Sequence, residues 1–288
     1  MIYILLPVYN RREITRRFID CLNAQTYTNY HLVLIDDGCT DGTAEMVQSH
    51  ISNVTVISGE GNWWWAGSLQ QGYQWLRKKR SNHSDTVLLI NDDAFIADDF
   101  LAIGTKILQE NPDTLVGAQA YNKLDNSLLD VGVHVDWKKF SFTQANTPED
   151  INCLSTRGLF IKEKDFLNLG GFYPRILPHY LSDYEFTIRA HKKGMRLITN
   201  NNLRLISDEN LTGFHSISYD ESFIKFLQKY FSKKSANNPI YWITFILLIC
   251  PWHLKMLNFL KAFYGGIKTI VIRLIKQKRT VNITKFHY

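Results

Sequence analysis

The sequence predicts an α/β protein built on an open, mostly parallel β-sheet with helices on both faces. Over about the first 120 residues, short apolar runs alternate with segments whose apolar residues have helical spacing. Two of the apolar runs end in paired carboxylates, and ligands of such sheets bind beyond the carboxyl ends of the strands. The 288 residues are 45% hydrophobic, which is enough for a large core.

The elements follow in a regular order. The first apolar run covers 2–8, and the next segment places Ile14, Phe18 and Leu22 on one helical face. The further predicted strands are 31–37, 53–58, 86–91 and 114–120, and the further helices are 43–50, 68–79 and 98–110. The less regular part has strands at 128–137, 138–144, 195–200 and 203–207, a helix at 182–194, and helices throughout 222–275. We expect one half of the body at 1–120, a second half at 121–221 and a helical tail at 222–288.

Charge divides the chain. The net charge is +6, yet residues 222–288 hold twelve Lys and Arg and no Asp or Glu, so the rest of the chain is acidic. This asymmetry indicates an acidic catalytic body with a basic, surface-seeking tail, and it argues against nucleic acid as a partner. The four cysteines lack metal-site spacing, which favours a reducing compartment. The N-terminal run is too short for a signal peptide.

Three acidic groups are candidates for chemistry: Asp36-Asp37, Asp92-Asp93, and Asp183 with Glu185. Acidic pairs at strand ends can hold Mg²⁺ or Mn²⁺, which prefer oxygen ligands and share them with substrate phosphates. A single pair could equally be a turn, because Asp favours turns. Two pairs at one edge of a sheet favour the metal interpretation.

An ordered set of motifs resembles the family 2 glycosyltransferases of GT-A fold. The motifs are LPVYN (6–10), IDDGCTDGT (35–43), GNWWWAGSLQQG (61–72), INDDAFI (90–96), GLFIKEKDFLNLGGF (158–172) and SDYEFTIRAHKKG (182–194). The third motif is similar to that of rhamnosyltransferase-like members that build bacterial surface polysaccharides. The resemblance implies transfer from a nucleotide diphosphate sugar (UDP, dTDP or GDP) to a glycan or lipid-linked acceptor, with 1–120 as the donor-binding half and 121–221 as the acceptor and catalytic half.

The resemblance also implies roles for individual residues. Asp183 would be the general base of an inverting transfer, and Asp93 would ligate the metal together with His215. The donor would contact Pro7, Tyr9, Asn10, Asp37, Asn62 and Asp92. Trp65, His179 and Tyr180 are possible acceptor contacts. Ser182 stands where the family often has Glu, and Trp64 stands where it has Gly.

Asp183 also has a structural interpretation. Ser182 and Glu185 have the spacing of a capping box, with Ser182 as N-cap. Asp183 would then complement the helix dipole, which favours its ionised form and weakens it as a base. Glu185 and Arg189 have the spacing of a helical ion pair. Of the three tryptophans at 63–65, we expect one or two in the core and another on a sugar ring.

The tail predicts contact with a membrane surface. Residues 240–252 form an apolar run too short to span a bilayer. Beyond it, one predicted helix face is apolar (Met256, Leu260, Phe263, Ile267, Ile270, Val271, Leu274) and the other is basic (Lys255, Lys261, Lys268, Arg273, Lys276). Such a helix is typical of the interface of an anionic membrane, and packing against the body or a partner is the alternative. We therefore expect a cytoplasmic enzyme, peripheral on the inner face of the membrane.

Two other functions remain open. A nucleotidyltransferase also uses an acidic metal site, but LPVYNRRE lacks the glycines of a phosphate loop. A nucleotide-sugar-binding scaffold without activity would not need Asp183.

Overall fold

The computed structural model describes residues 1–79, 84–207 and 222–284, with side chains described up to 275. Within these residues the strands are β1 (Ile2–Val8), β2 (Tyr30–Asp36), β3 (Val54–Ser58), β4 (Thr86–Leu89), β5 (Ala94–Ile96), β6 (Thr114–Asn122), β7 (Leu128–Asp130), β8 (Val133–Asp136), β9 (Ser141–Gln144), β10 (Leu159–Lys162) and β11 (Arg196–Ser207). The helices are α1 (Arg12–Asn23), α2 (Thr43–His50), α3 (Trp64–Lys78), α4 (Phe100–Glu110), α5 (Glu163–Leu169), α6 (Ser182–Lys192), α7 (Phe223–Tyr230), α8 (Pro239–Ile249) and α9 (Trp252–Thr284).

One large sheet organises the body, in the order β3-β2-β1-β4-β10-β6-β11-β5, with β7 beside β6. The first four strands in this order are parallel. The residues of β1 alternate between two cores: Ile2, Ile4 and Leu6 face one, and Tyr3 and Leu5 face the other. Both faces are therefore covered, as the continuous apolar runs predicted. The α/β fold class is confirmed.

The sheet is more mixed than the sequence predicted. β10 lies antiparallel between β4 and β6. No strand was predicted there, because its four residues run directly into α5 and are too short to show a period. The strands predicted at 195–200 and 203–207 are one strand, β11, with an irregularity between Asn200 and Arg204.

The parallel part of the sheet brings the two acidic pairs to one edge. β1 pairs with β2 on one side and with β4 on the other. Asp36 ends β2, and Asp92 and Asp93 follow β4 by three and four residues. The predicted shared edge is confirmed.

The tail docks on the hairpin formed by β8 and β9. Phe245 and Ile249 of α8 are buried in a cluster with Val133 and Val135 of that hairpin. α9 approaches the body with another face: the amide of Asn258 donates to the carbonyl of Trp137, and Lys261 donates to the carbonyl of Lys138.

α9 turns its apolar stripe away from the body. Met256, Leu260 and Phe263 are 70%, 53% and 49% exposed, and Ile267, Val271 and Leu274 are also exposed, while Ile270 is half-buried. The prediction that Arg273 belongs to the exposed basic face is wrong. Arg273 is buried, and its guanidinium lies over the ring of Phe226. In the part of the chain that the structure describes, no helix combines the length and the apolar character needed to cross a bilayer.

Candidate active site

Asp37 holds the loop that leads into α3. Its buried carboxylate accepts hydrogen bonds from the backbone N–H groups of Asn62, Trp63 and Trp64, at 2.9–3.0 Å. Carboxylates bind the exposed N–H groups of a helix start well, because the dipole adds to the hydrogen bonds. The structure thus gives Asp37 a scaffolding role, and its expected contact with a nucleotide base stays a prediction.

The residues after β1 shape the neighbouring turn. Asn10 has a left-handed backbone (φ 49°), and its side-chain oxygen accepts from the backbone N–H of Thr40 at 2.8 Å. Tyr9 is 53% exposed, and a Cβ on Gly61 would stand 3.5 Å from its ring. Pro7 lies within β1, one residue before the strand ends. An open aromatic ring beside a bare backbone is a suitable surface for a planar ligand, as predicted for the donor.

Asp92 and Asp93 form a buried acidic pair that Arg11 bridges. The guanidinium donates to Oδ1 of Asp92 at 3.0 Å and to Oδ2 of Asp93 at 3.3 Å. The second oxygen of Asp92 accepts from the hydroxyl of Thr15 at 2.9 Å. Burial raises the pKa of Asp92 to about 6, with Arg11 acting in the opposite direction.

One carboxylate oxygen of this acidic pair has no hydrogen-bond donor among the described residues. This oxygen is Oδ1 of Asp93, and it is buried. A buried carboxylate oxygen without a donor is costly, and a cation would satisfy it. Mg²⁺ is often held by one or two carboxylates together with substrate phosphates, so Asp93 fits the predicted metal. The described residues contain no cluster of three or more His, Cys, Asp or Glu able to hold a metal, and the predicted ligand His215 lies outside them.

Asp183 is the opposite kind of carboxylate. It stands in the first turn of α6, half-buried, and accepts one hydrogen bond, from the backbone N–H of Tyr184 at 3.0 Å. Burial raises the pKa of Asp183 to about 6, outweighing that hydrogen bond, while Asp130 raises it further and Arg157 lowers it. The N–H groups at the start of α6 lower the pKa of Asp183, as the sequence predicted for the helix dipole, but desolvation outweighs them. A carboxylate with this pKa is a better proton acceptor near neutral pH.

The predicted capping box is also wrong. The N-cap of α6 is Leu181, in a left-handed conformation, and the hydroxyl of Ser182 donates to the carbonyl of His179. Glu185 instead accepts hydrogen bonds from Nε and Nη2 of Arg189, at 2.8 and 3.0 Å. The predicted Glu185–Arg189 pair is confirmed. The same guanidinium donates to the carbonyls of the turn after α5, which ties that turn to α6.

The three tryptophans at the start of α3 separate as predicted, with two on the core. Trp63 and Trp65 pack against it, and the indole N–H of Trp65 donates to the hydroxyl of Thr156. Trp64 has a left-handed backbone (φ 57°), and its ring contacts that of His179 edge-on. Such a backbone is strained for a large side chain and is often found at functional sites. The acceptor role expected for Trp65 stays a prediction, and Trp64 is the ring that leaves the core.

His179 and Tyr180 lie directly before α6. Their rings contact each other at 4.5 Å between centroids. Burial lowers the pKa of His179 to about 4, so the imidazole is neutral at pH 7. Its Nδ1 is buried and has no hydrogen-bond partner in the described part of the chain. A neutral imidazole here is suited to hydrogen bonding with a hydroxyl, as expected of an acceptor contact.

The sequence did not reveal two cations of this site. Arg11 immediately follows the LPVYN motif, just before a helix. Nothing in that position indicates a contact with the acidic pair, which begins 81 residues later. Lys233 belongs to the tail, yet its ammonium donates to the side-chain oxygen of Asn62 at 2.9 Å. Lys233 and Lys234 both lie over the ring of Trp64. No local pattern could have indicated this contact, which joins the tail to the donor loop.

The model of the family described as Glycosyl transferase family 2 matches residues 3–166. A Haemophilus influenzae protein described as an uncharacterized glycosyltransferase is 24% identical over 201 residues, which are 66% of this chain and 61% of that protein.

Solved structures of S. aureus TarS share the fold. TarS 1–349 in complex with UDP-GlcNAc superposes with a TM-score of 0.63 at 14% identity, covering 98% of this chain and 92% of that one. A longer TarS structure gives a TM-score of 0.62 at 16% identity, covering 93% of this chain and 54% of that one. This chain therefore spans about half the length of the longer TarS chain.

Proposed function

Because the chain belongs to glycosyl transferase family 2, we propose that it moves a sugar from a nucleotide diphosphate sugar to a hydroxyl of a glycan or lipid-linked acceptor, with inversion. Asp183 is the general base, and Asp93 holds a divalent ion on the donor diphosphate. The acceptor belongs to the synthesis of a cell-envelope polysaccharide. The UDP-GlcNAc named for one TarS structure makes UDP-sugars the first donors to test.

The observation that supports this proposal most is the start of α3, which contacts both halves of the site. The backbone N–H of Trp64 binds Asp37 on the donor side, and the ring of Trp64 touches His179 before the base helix. The backbone N–H of Ala66 donates to the carbonyl of Pro178 at 3.0 Å. The donor loop and the segment leading to Asp183 are thus fixed against each other, which transfer between two bound substrates requires.

The chain's residues can supply the proton chemistry. The acceptor hydroxyl loses its proton as it attacks the anomeric carbon, and Asp183 accepts that proton. One base on the face opposite the leaving group gives inversion, whereas a glycosidase uses two carboxylates that flank the bond it breaks. When bound at Asp93, the divalent ion would neutralise charge on the departing diphosphate as a Lewis acid.

The first experiment tests binding and turnover separately. Thermal unfolding is measured with UDP, dTDP and GDP, each with Mn²⁺, since a ligand at 100 times its Kd stabilises by about 2.7 kcal/mol. Release of the nucleoside diphosphate from the matching sugar donors then measures turnover. A nucleotide that stabilises the protein but yields no hydrolysis or transfer would favour the non-catalytic scaffold. Release of pyrophosphate from a nucleoside triphosphate and a sugar phosphate would favour the nucleotidyltransferase.

We further propose that α9 lies on the inner face of the cytoplasmic membrane. A peripheral helix normally buries its apolar stripe, and α9 exposes it while docking through Asn258 and Lys261. A contiguous apolar surface of this kind marks an interaction site. The exposed Lys268, the half-buried Lys255 and the basic sequence after 275 favour an anionic lipid surface as the occupant.

Cosedimentation with vesicles containing phosphatidylglycerol tests this surface. Removing the tail would also expose the core around Phe245, so the better variant is the double substitution Phe263→Gln and Ile267→Gln, which leaves that core covered. The variant should lose vesicle binding, and added salt should weaken binding of the wild type. Thr244→Gln on α8, at an exposed polar position, is the control. Unchanged vesicle binding by the double variant, or dimerisation of the wild type through α9, would contradict the membrane proposal.

A further inference from the structure

Arg11 occupies an unusual position for a surface arginine. Its backbone is fixed at the start of α1, where its carbonyl accepts the N–H groups of Ile14 and Thr15. Its side chain is 29% exposed, whereas those of Asp92 and Asp93 are each 3% exposed. The guanidinium therefore covers a buried acidic pair from the solvent side. Its side chain is longer and more exposed than those of the two aspartates.

The guanidinium and a divalent ion would compete for the same charge. Arg11 binds one oxygen of Asp93, and the other is the buried oxygen without a partner in the described chain. A divalent ion there would stand close to the guanidinium, and like charges at such distances repel strongly in a site of low dielectric. Asp92 and Asp93 supply two negative charges, whereas the guanidinium and a divalent ion together carry three positive charges. A further anion is needed before both cations can stay.

The donor diphosphate is an anion of suitable geometry. The fork of an arginine matches the oxygens of a phosphate and binds them bidentately. We propose that Arg11 is a resident cation of the acidic pair, which opposes metal binding in the absence of nucleotide and shifts to the diphosphate when nucleotide and metal enter together. Metal and nucleotide would then bind cooperatively because of Arg11. This inference rests on the proposed metal at Asp93.

Four proteins test this inference: the wild type, Arg11→Gln, Arg11→Lys and the control Arg12→Gln. Arg12 is the next residue in the chain, and its side chain is exposed. Mn²⁺ binding is measured by electron paramagnetic resonance with and without UDP, and no turnover is needed. Arg11→Gln should bind Mn²⁺ alone about 5- to 150-fold more tightly than the wild type, the usual range of coupling between two ligands. UDP should then increase its Mn²⁺ affinity much less than in the wild type. Arg12→Gln should match the wild type.

The outcomes separate this inference from the proposed function. Weaker or unchanged Mn²⁺ binding by Arg11→Gln, with UDP still improving it, would overturn the inference and leave the metal site standing. Binding of UDP without Mn²⁺ binding in any of the four proteins would overturn the metal site as well. If Arg11→Gln does not fold, Arg11→Lys decides: it keeps the repulsion but loses the fork, so the UDP effect on Mn²⁺ affinity should fall. An unchanged UDP effect would contradict the inference.

Discussion

The carboxylates of the donor edge differ from Asp183 in how many donors surround them. Asp37 accepts three backbone N–H groups, and Asp92 accepts a guanidinium and a hydroxyl. Among the described residues, Asp183 accepts a single backbone N–H, and burial raises its pKa to about 6. The number of donors thus separates Asp37, which is fixed as a scaffold, from Asp183, the proposed proton acceptor, whereas burial raises the pKa values of Asp92 and Asp183 alike. The hydrogen-bond donors and the burial around each aspartate therefore distinguish these residues, although their side chains are the same.

The largest effect is expected at the acidic pair. If Asp93 holds the divalent ion, Asp93→Ala removes several kcal/mol of transition-state stabilisation, so the transfer rate should fall about 10³-fold or more. Mn²⁺-dependent nucleotide binding should be lost, while the melting temperature stays near that of the wild type. Asp98→Ala, an exposed residue shortly after the pair, serves as the control. Normal Mn²⁺ binding by Asp93→Ala would show that Asp93 is not a ligand of the metal.

Asp37 should affect stability rather than chemistry. Asp37→Ala leaves the N–H groups at the start of α3 without their acceptor, and hydrogen bonds to charged groups contribute about 1.5–3 kcal/mol each. We expect the free energy of unfolding in urea to fall by about that amount, with a smaller loss of donor affinity. Glu60→Ala, which removes an exposed carboxylate two residues before Asn62, is the control. If Asp37→Ala unfolds like the wild type but cannot bind nucleotide, Asp37 is a ligand and not a scaffold.

The pH dependence should show the raised pKa of Asp183. A general base acts in its ionised form, so the transfer rate at saturating donor should fall about tenfold per pH unit well below pH 6. Saturation matters because burial also raises the pKa of Asp92 to about 6, which can weaken donor binding over the same range. A rate that stays constant down to pH 4.5 would show that Asp183 is not desolvated in the working enzyme.

The sequence predicted best where a periodic pattern and a motif coincide. The parallel strands, the shared edge of the acidic pairs and the Glu185–Arg189 pair follow from apolar runs and i,i+4 spacing, and all three are present. β10 was missed because four residues have no readable period. The capping box failed because Leu181 takes the N-cap position and its left-handed backbone leaves no sequence pattern.

The charges around the site were less predictable than its carboxylates. The direction of the pKa shift of Asp183 depends on desolvation, which a sequence does not show. Arg11 and Lys233 reach residues 81 and 171 positions away in the chain, so only the fold brings them together. Trp64 leaves the core through a backbone conformation that its residue type disfavours. These side chains were found only in the structure.

The central claim is that Asp183 takes the acceptor's proton, and Asp183→Asn tests it most directly. In one preparation at pH 7.5, we would measure transfer rate, donor affinity and melting temperature. Asp165→Asn, in the first turn of α5, is the matched control. Because burial raises the pKa of Asp183, the folded protein binds the proton more tightly than the unfolded one, and its ionised form destabilises the fold above that pKa.

If Asp183 is the general base, three results are expected for Asp183→Asn. Transfer falls by about 10²–10⁴-fold, donor affinity is unchanged, and the melting temperature at pH 7.5 stays equal to that of the wild type or rises. A purely structural Asp183 at the helix start would instead lower stability by about 0.3–1 kcal/mol and leave turnover intact. Near-normal transfer by Asp183→Asn would contradict the proposed mechanism.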